Sequence, residues 1–427
     1  MPGRPSSGAR GRRARALSRR KRRALVRVLG VALMVSGLTV VVSRASTWAS
    51  TTDVRGDGID GDGESDDPTT TRDAAVWGGG CGVGGAAFGE STCAREREHP
   101  GLDVLATAVK PTCVNAVAIA ALNQYVGPRR IVVVVPDETR CAAFREMATN
   151  VECRAEDEFL GGVERGRVEA ALEELYPDEL GDEGARSRFV GRELGGWYMQ
   201  QLMKLGASTS KAISSPPLSR KFLIWDLDMI PLRPLDLFKK DDVGRAKAIR
   251  QIGGNVIKSY ESSYETLTGE KMTYAKDGTS YVTHQMVVDA DIVEEMLSVF
   301  ARRATRMTGV FAEFPPWVTS ILESANRKDL KLGFSEYASY ASYVAAHHED
   351  EVEVLPTKKW ARASGGKLGI ALQRWTHKYG LCCPRPGVLK MMKSRRLDYV
   401  GHEIGHVDSC RYNSPEHEFS YGLPLRN

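Results

Sequence analysis

Residues Ile131 to Val135 read IVVVV and run straight into Pro136-Asp137. A continuous β-branched run offers no polar face to water. As a strand it must be covered on both sides, which is the situation inside a parallel sheet with helices on each face. The flanking sequence supplies the covering layers. DVLATAV (Asp103 to Val109) reads as a strand, and NAVAIAALNQY (Asn115 to Tyr125) as a helix behind it. VERGRVEAALEELY (Val163 to Tyr176) has helical character. In ELGGWYMQQLMKLGAS, residues Leu194, Trp197, Tyr198, Leu202 and Leu205 recur at helical spacing. Strands alternating with helices predict an α/β layered domain, whose ligands bind beyond the carboxyl ends of the strands.

At such an end the chain reads KFLIWDLD, Lys221 to Asp228. On an extended backbone residues i and i+2 face the same way, so Asp226 and Asp228 present two carboxylates together. Hard cations such as Mg²⁺ and Mn²⁺ take oxygen ligands and commonly share them with phosphate. The plainer alternative is a solvated turn after an edge strand. Two other D-x-D pairs serve as controls. Asp60/Asp62 lies in a Gly/Asp-rich tract with no strand before it. Asp289/Asp291 follows YVTHQMVV (Tyr281 to Val288) but opens the helical pattern DIVEEMLSVF, where either aspartate suits an N-cap. Asp137 also falls at a strand's carboxyl end.

The net charge of +5 conceals an uneven distribution. Residues 1–23 form a basic tail with no acid, and the remainder is slightly acidic, so net charge gives no case for nucleic-acid binding. Val28 to Ser43 is uncharged and bracketed by Arg27 and Arg44. Spanning helices need about 17–25 residues, and terminal arginines extend a short span by reaching to the headgroups. We expect a signal anchor over residues 24–45 with the N-terminus cytosolic; a cleaved signal peptide and an organelle transit peptide are the alternatives. Residues 46–100, with an acidic Gly/Asp tract and GGGCGVGGAAFG, bury too little apolar surface to fold alone and read as a lumenal stem. Residues 101–427 are the globular domain. All eight cysteines (81, 93, 113, 141, 153, 382, 383 and 410) follow the apolar run, as suits an oxidising lumen and several disulfides.

Four segments taken together, RELGGWYMQQLMKL (Arg192 to Leu205), the D-x-D segment, THQMVVD (Thr283 to Asp289) and FSEYASY (Phe334 to Tyr340), resemble a family of GT-A-like nucleotide-diphospho-sugar transferases known mainly as a domain of unknown function. The resemblance covers about Gly101 to Tyr343. It implies a GT-A-like fold, a mixed and mostly parallel sheet flanked by helices. It also implies Mn²⁺- or Mg²⁺-dependent transfer of a sugar from a nucleotide-sugar donor to a glycan, protein or lipid acceptor, in the Golgi or endoplasmic reticulum. Asp226 and Asp228 would hold the metal. Asp137, Gln201 and Lys204 would face the donor, although Lys204 also reads as a solvated helix lysine and Gln201 as a core amide. His284, on a strand face shared with Val282 and Met286, would serve the acceptor or be a structural histidine. Glu336, opening a helix with Tyr337, Tyr340 and Tyr343, would be a general base, an acceptor ligand or a helix N-terminal acid.

His402 to His406 spells H-E-x-x-H, the zinc-protease pattern, which needs both histidines on one helix face. The extended form wants glycine and histidine where Ser409 and Tyr412 stand. In the transferase reading His402 or His406 instead completes the metal shell. A non-catalytic, membrane-tethered carbohydrate-binding protein is the third reading.

Overall fold

The computed structural model describes residues 101–180, 194–213, 216–276, 278–362, 383–384 and 386–402. The predicted basic tail, anchor and stem lie outside the described residues, as do Glu403 and His406. Among the described residues, no helix is long and apolar enough to cross a membrane.

The strands are β1 (Asp103–Thr107), β2 (Arg130–Val135), β3 (Val151–Ala155), β4 (Lys221–Asp226), β5 (Met229–Pro231), β6 (Phe238–Lys240), β7 (Ala246–Arg250), β8 (Gln285–Asp289), β9 (Val352–Val354), β10 (Trp360–Ala361) and β11 (Tyr399–Gly401). The longer helices are α1 (Cys113–Tyr125), α2 (Arg165–Leu175), α3 (Leu194–Gly206), α4 (Lys258–Thr268), α5 (Ala290–Ala301), α6 (Pro316–Ser324), α7 (Glu336–His347) and α8 (Pro386–Ser394). The main sheet has the order β3-β2-β1-β4-β8. Its first four strands run parallel, and β8 runs antiparallel to β4. This is the α/β layered architecture that the alternating pattern predicts, with the mixed, mostly parallel sheet that the resemblance implies.

The β-branched run lies where its composition requires. Ile131, Val133 and Val135 point into one apolar core with α1, while Val132 and Val134 point into the other with α2, α3 and α5 to α7. Each fully buried valine or isoleucine contributes roughly 1.5–3 kcal/mol, which makes β2 a firm spine for the sheet. In β4 the same division holds: Phe222 and Ile224 face the second of these cores, Leu223 and Trp225 the first.

Two devices fasten α1 to the sheet edge that matters. Thr112 caps the helix by accepting from the Asn115 amide, and Asn115 Oδ1 accepts from the Thr112 amide in return; such a cap contributes about 1 kcal/mol. Asn115 Nδ2 then donates to the Leu227 carbonyl at 3.2 Å, between the two aspartates of the D-x-D. Among the described cysteines, all four are paired, Cys113 with Cys383 and Cys141 with Cys153. The first bridge ties the start of α1 to the segment preceding α8.

A second, three-stranded sheet has the order β10-β11-β5. Gly401 stands opposite Met229 and Val400 opposite both Ile230 and Ala361. This register carries the end of β11 to the turn that follows β4. Gly401 is required there, because a Cβ would lie 2.3 Å from the Arg362 carbonyl oxygen. A third sheet, β6-β7-β9, completes the fold.

Candidate active site

The D-x-D turn hangs from the carboxyl end of an internal strand. β4 is bonded on one side to β1 and on the other to β8, so the alternative of an edge strand is excluded. After Asp226 the chain turns at Leu227 and Asp228 and returns as β5; Trp225 Nε1 donates to the Met229 carbonyl at 2.8 Å across the turn. Asp226 and Asp228 are both half-buried.

Asp226 is the hub. Its Oδ1 accepts from Lys204 Nζ at 2.6 Å and from the Tyr337 hydroxyl at 2.9 Å, and its Oδ2 lies 2.9 Å from His284 Nδ1. Lys204 Nζ also reaches Glu336 Oε1 at 2.7 Å. The lysine and glutamate side chains are only 4% and 5% exposed. Lys204 is therefore a buried bridge between two carboxylates, not the solvated helix lysine that its spacing also allowed. Gln201, one turn earlier on α3, accepts from the Glu336 amide through Oε1 at 3.2 Å, which fixes the first residue of α7 against α3. The side chain of Ser335 caps α7 by accepting from the Ala338 amide.

The charges follow from these contacts. Burial by itself would pull the Lys204 pKa down, but the Asp226 and Glu336 charges outweigh it and hold the ammonium well above its ordinary range. Burial would raise the Asp226 carboxyl, yet Lys204 and then His284 drive it well below the usual carboxylate range. Burial would likewise lower His284, but the Asp226 hydrogen bond and charge, with the Asp228 charge behind them, raise it. Both carboxylates of the D-x-D therefore act on this one imidazole. Burial, then Asp226 and Glu336, keeps the Tyr337 hydroxyl protonated far above neutrality.

His284 corrects the sequence reading in one respect. It is not within a strand: β8 begins at Gln285, and His284 has φ 64°. Pairing of β8 with β4 runs from Asp289 opposite Lys221 to Gln285 opposite Trp225. Beyond that point only the Asp226 amide still reaches the His284 carbonyl, at 3.0 Å. A left-handed conformation costs a non-glycine residue about 1–2 kcal/mol, and such strain is stored where surrounding contacts over-determine it. Here those contacts are the ring's bond to Asp226 and an edge-on approach to Trp360, with ring centroids 5.3 Å apart. Trp360 in turn stacks on Tyr399 at 5.8 Å, which packs edge-on against Trp225 at 5.4 Å. Sequence reasoning assigned none of these three aromatics; they come from strands far apart in the chain and carry no local signature.

His402 follows β11 directly, and its amide donates to the Asp228 carbonyl at 2.7 Å. The second sheet thus brings His402 beside the second aspartate of the D-x-D. Asp137 makes its contacts locally. It pairs with Arg140 at 3.0 Å and accepts from the Thr139 hydroxyl, at the end of β2.

Among the described residues, no three His, Cys, Asp or Glu side chains already converge as a metal-binding group. A carboxylate offers about four lone-pair sites, and Asp226 has committed three of them to Lys204, Tyr337 and His284. Its free capacity is one site on Oδ2. Two carboxylates and an imidazole are nonetheless the oxygen and nitrogen donors that Mn²⁺ accepts. The donor chemistry fits, and Asp226, Asp228 and His402 are the residues that would hold such an ion.

A scan against protein-family models and a search of curated proteins give no match. Among solved structures, the chain is similar to the apo form of mouse xyloside xylosyltransferase 1, at 11% identity and a TM-score of 0.33, over 71% of this chain and 97% of that one. It is similar to the galactosyltransferase LgtC in complex with donor and acceptor sugar analogues, at 11% identity and a TM-score of 0.33, over 76% and 98%. It also overlaps the apo bifunctional glycosyltransferase WbbM, at 9% identity and a TM-score of 0.28, over 74% and 47%. Overlap this loose contributes nothing to the assignment of chemistry, which rests on the residues above.

Proposed function

We propose that the chain is a GT-A-type, divalent-metal-dependent glycosyltransferase that moves a sugar from a nucleotide-sugar donor to a glycan, protein or lipid acceptor. The observation that carries this reading is the D-x-D turn at the carboxyl end of the central strand, with the His402 amide bonded to the Asp228 carbonyl and the buried Lys204 holding Asp226. Mn²⁺ or Mg²⁺, held by Asp228 and His402 with Asp226, would supply Lewis-acid neutralisation of the charge that develops on the leaving diphosphate. The chain's own residues supply the rest. Lys204 keeps Asp226 ionised and immobile, because it bonds that carboxylate and Glu336 at once. Glu336 is buried behind Lys204, so its role is to position Asp226 through the lysine rather than to act as a general base. Gln201 fixes Glu336. His284 is held at Nδ1 by Asp226, which leaves Nε2 for an acceptor hydroxyl or a phosphate oxygen.

The zinc-protease alternative requires His402 and His406 on one helix. His402 follows β11 directly and is bonded through its backbone to Asp228, and His406 lies outside the described residues. The functional test is a calorimetric donor screen on the full chain with nucleoside diphosphates, with and without Mn²⁺. Binding that needs Mn²⁺ is expected. Metal-independent binding, or none to any nucleotide, would remove the basis of the reading.

We also propose a secretory-pathway location with a single N-terminal anchor and a lumenal catalytic domain. It is supported by the basic residues before an uncharged segment and by the two disulfides. In sealed microsomes, protease should spare the C-terminus until detergent is added. Digestion without detergent would place the domain in the cytosol.

A further inference from the structure

The second sheet starts among cations that the proposed chemistry does not use. Residues 356–361 and 386–397 contain no aspartate or glutamate. They carry Lys358 and Lys359 ahead of β10, and Lys390, Lys393, Arg395 and Arg396 along α8 and the turn into β11. Lys393 is half-buried and the other five are exposed. The fold brings the two groups together. β10 and β11 run parallel with Trp360 opposite Tyr399, so both strands start at one end of the sheet. The Asp398 amide donates to the Lys359 carbonyl at 2.7 Å. Arg233 fixes the turn between α8 and β11 by donating to the Lys393 and Leu397 carbonyls at 2.8 and 3.0 Å. Within that turn Arg396 has φ 60°, the conformation in which helices ordinarily end on glycine or asparagine.

Among the described residues, none of these six cations enters an ion pair. Lys358 Nζ instead lies 3.9 Å from the centroid of the Trp360 ring, and Lys393 Nζ donates to the Tyr125 hydroxyl at 3.3 Å. The acid that follows them, Asp398, is half-buried and accepts from Gln251 Nε2 at 2.8 Å. The third sheet shows the opposite treatment of surface charge. There Lys221, Lys239 and Lys247 meet Glu351, Glu353 and Asp350 at 2.8, 2.8 and 3.9 Å. Cations gathered without counter-charges build a positive potential that draws a polyanion. A membrane surface would ask for buried apolar area as well, and Met391, 45% exposed, is the one large apolar side chain offered here. The cations also point the way to the site. From this end β11 runs to His402, whose amide bonds to the Asp228 carbonyl, and Trp360 beneath Lys358 packs on His284. We propose that this end of the second sheet is a docking surface for an acidic glycan, whose uronate or sulfate groups lie on the cations, and that this glycan is the acceptor. The word acceptor rests on the transferase reading; the docking surface itself does not.

The test is titration calorimetry on the full chain with chondroitin sulfate and neutral dextran, at low and high salt. Residues 1–23 are basic as well, so the comparison is between chains that share them. Chondroitin sulfate is expected to bind, more weakly at high salt, and dextran not. The triple variant Lys358→Gln, Lys359→Gln, Arg395→Gln should bind chondroitin sulfate at least about 10-fold more weakly, each surface charge giving a fraction of a decade. A control triple variant, Lys239→Gln, Lys240→Gln, Arg245→Gln, removes the same charge from the third sheet and should keep the wild-type affinity. Unchanged affinity in the first variant, or equal loss in both, overturns the docking surface. Should the first variant lose only its binding to phosphatidylserine vesicles, the surface belongs to a membrane and the glycan is overturned. Mn²⁺-dependent UDP binding should be the same in all three chains. If it falls in the first variant together with the chondroitin sulfate affinity, the cations serve the donor's phosphates and the acceptor assignment fails. Its absence from the wild type would fail the transferase reading alone and leave the docking surface standing.

Discussion

Lys204→Met should lower the free energy of unfolding by about 3–5 kcal/mol, the range found when one member of a buried charged set is removed. The change leaves the Asp226 and Glu336 carboxylates without the cation that lies 2.6 and 2.7 Å from them. Methionine fills the volume, so the loss reports charge rather than a cavity. Glu336→Gln added to Lys204→Met should recover part of the stability, because one of the two orphaned charges is then gone. Urea unfolding followed by circular dichroism measures both. A loss below about 1 kcal/mol in the single variant would show that the cluster is solvated and that Lys204 does not hold Asp226.

The second large effect separates the two aspartates. Asp228→Asn should weaken Mn²⁺-dependent nucleotide binding by at least about 100-fold, the upper end of what second-shell changes at metal sites produce, while leaving the unfolding temperature nearly unchanged. Asp226→Asn should weaken binding too, but it should also destabilise the protein, since Lys204 and His284 both lose their charged partner. On sequence grounds the two carboxylates are interchangeable members of a motif. In the structure Asp226 is bonded to Lys204, Tyr337 and His284 at once, which sets it apart from Asp228. Calorimetry and thermal melts on the two variants side by side check this, and equal melting temperatures would return them to equivalence.

What the sequence disclosed and what it withheld divide by range. The valines of β2, the apolar face of α3 and the N-cap at Asp289, whose side chain accepts from the Asp291 amide, are set by period and local chemistry. They fall where those rules put them. The D-x-D stood out because a carboxylate pair after a buried strand is a local pattern. Lys204 is different. Its spacing on α3 is compatible with either water or the core, and only its partners, one on β4 and one on α7, decide. Glu336 likewise reads as a helix N-terminal acid until Lys204 is seen beneath it. His284 fails as a strand residue because strand geometry there depends on where its partner strand turns away, and that is a property of β4. Arg250, at the end of β7, is buried and gave no signal at all, since an arginine ending a short strand ordinarily points outward.

The pairing of β11 with β5 has a consequence for biogenesis. Met229 and Gly401 are neighbours across that ladder, yet most of the domain's length separates them in the chain. Closing so long a loop delays contact formation. During synthesis the five-stranded sheet can assemble from segments already made, while the edge that carries Asp228 waits for the strand delivering His402. The Cys113–Cys383 bridge spans a still longer interval, 270 residues, so an oxidising environment helps to retain the late-arriving segment. The edge that carries Asp228 is thus completed later than the five-stranded sheet, and a ribosome-bound chain would have folded that sheet before His402 reached Asp228.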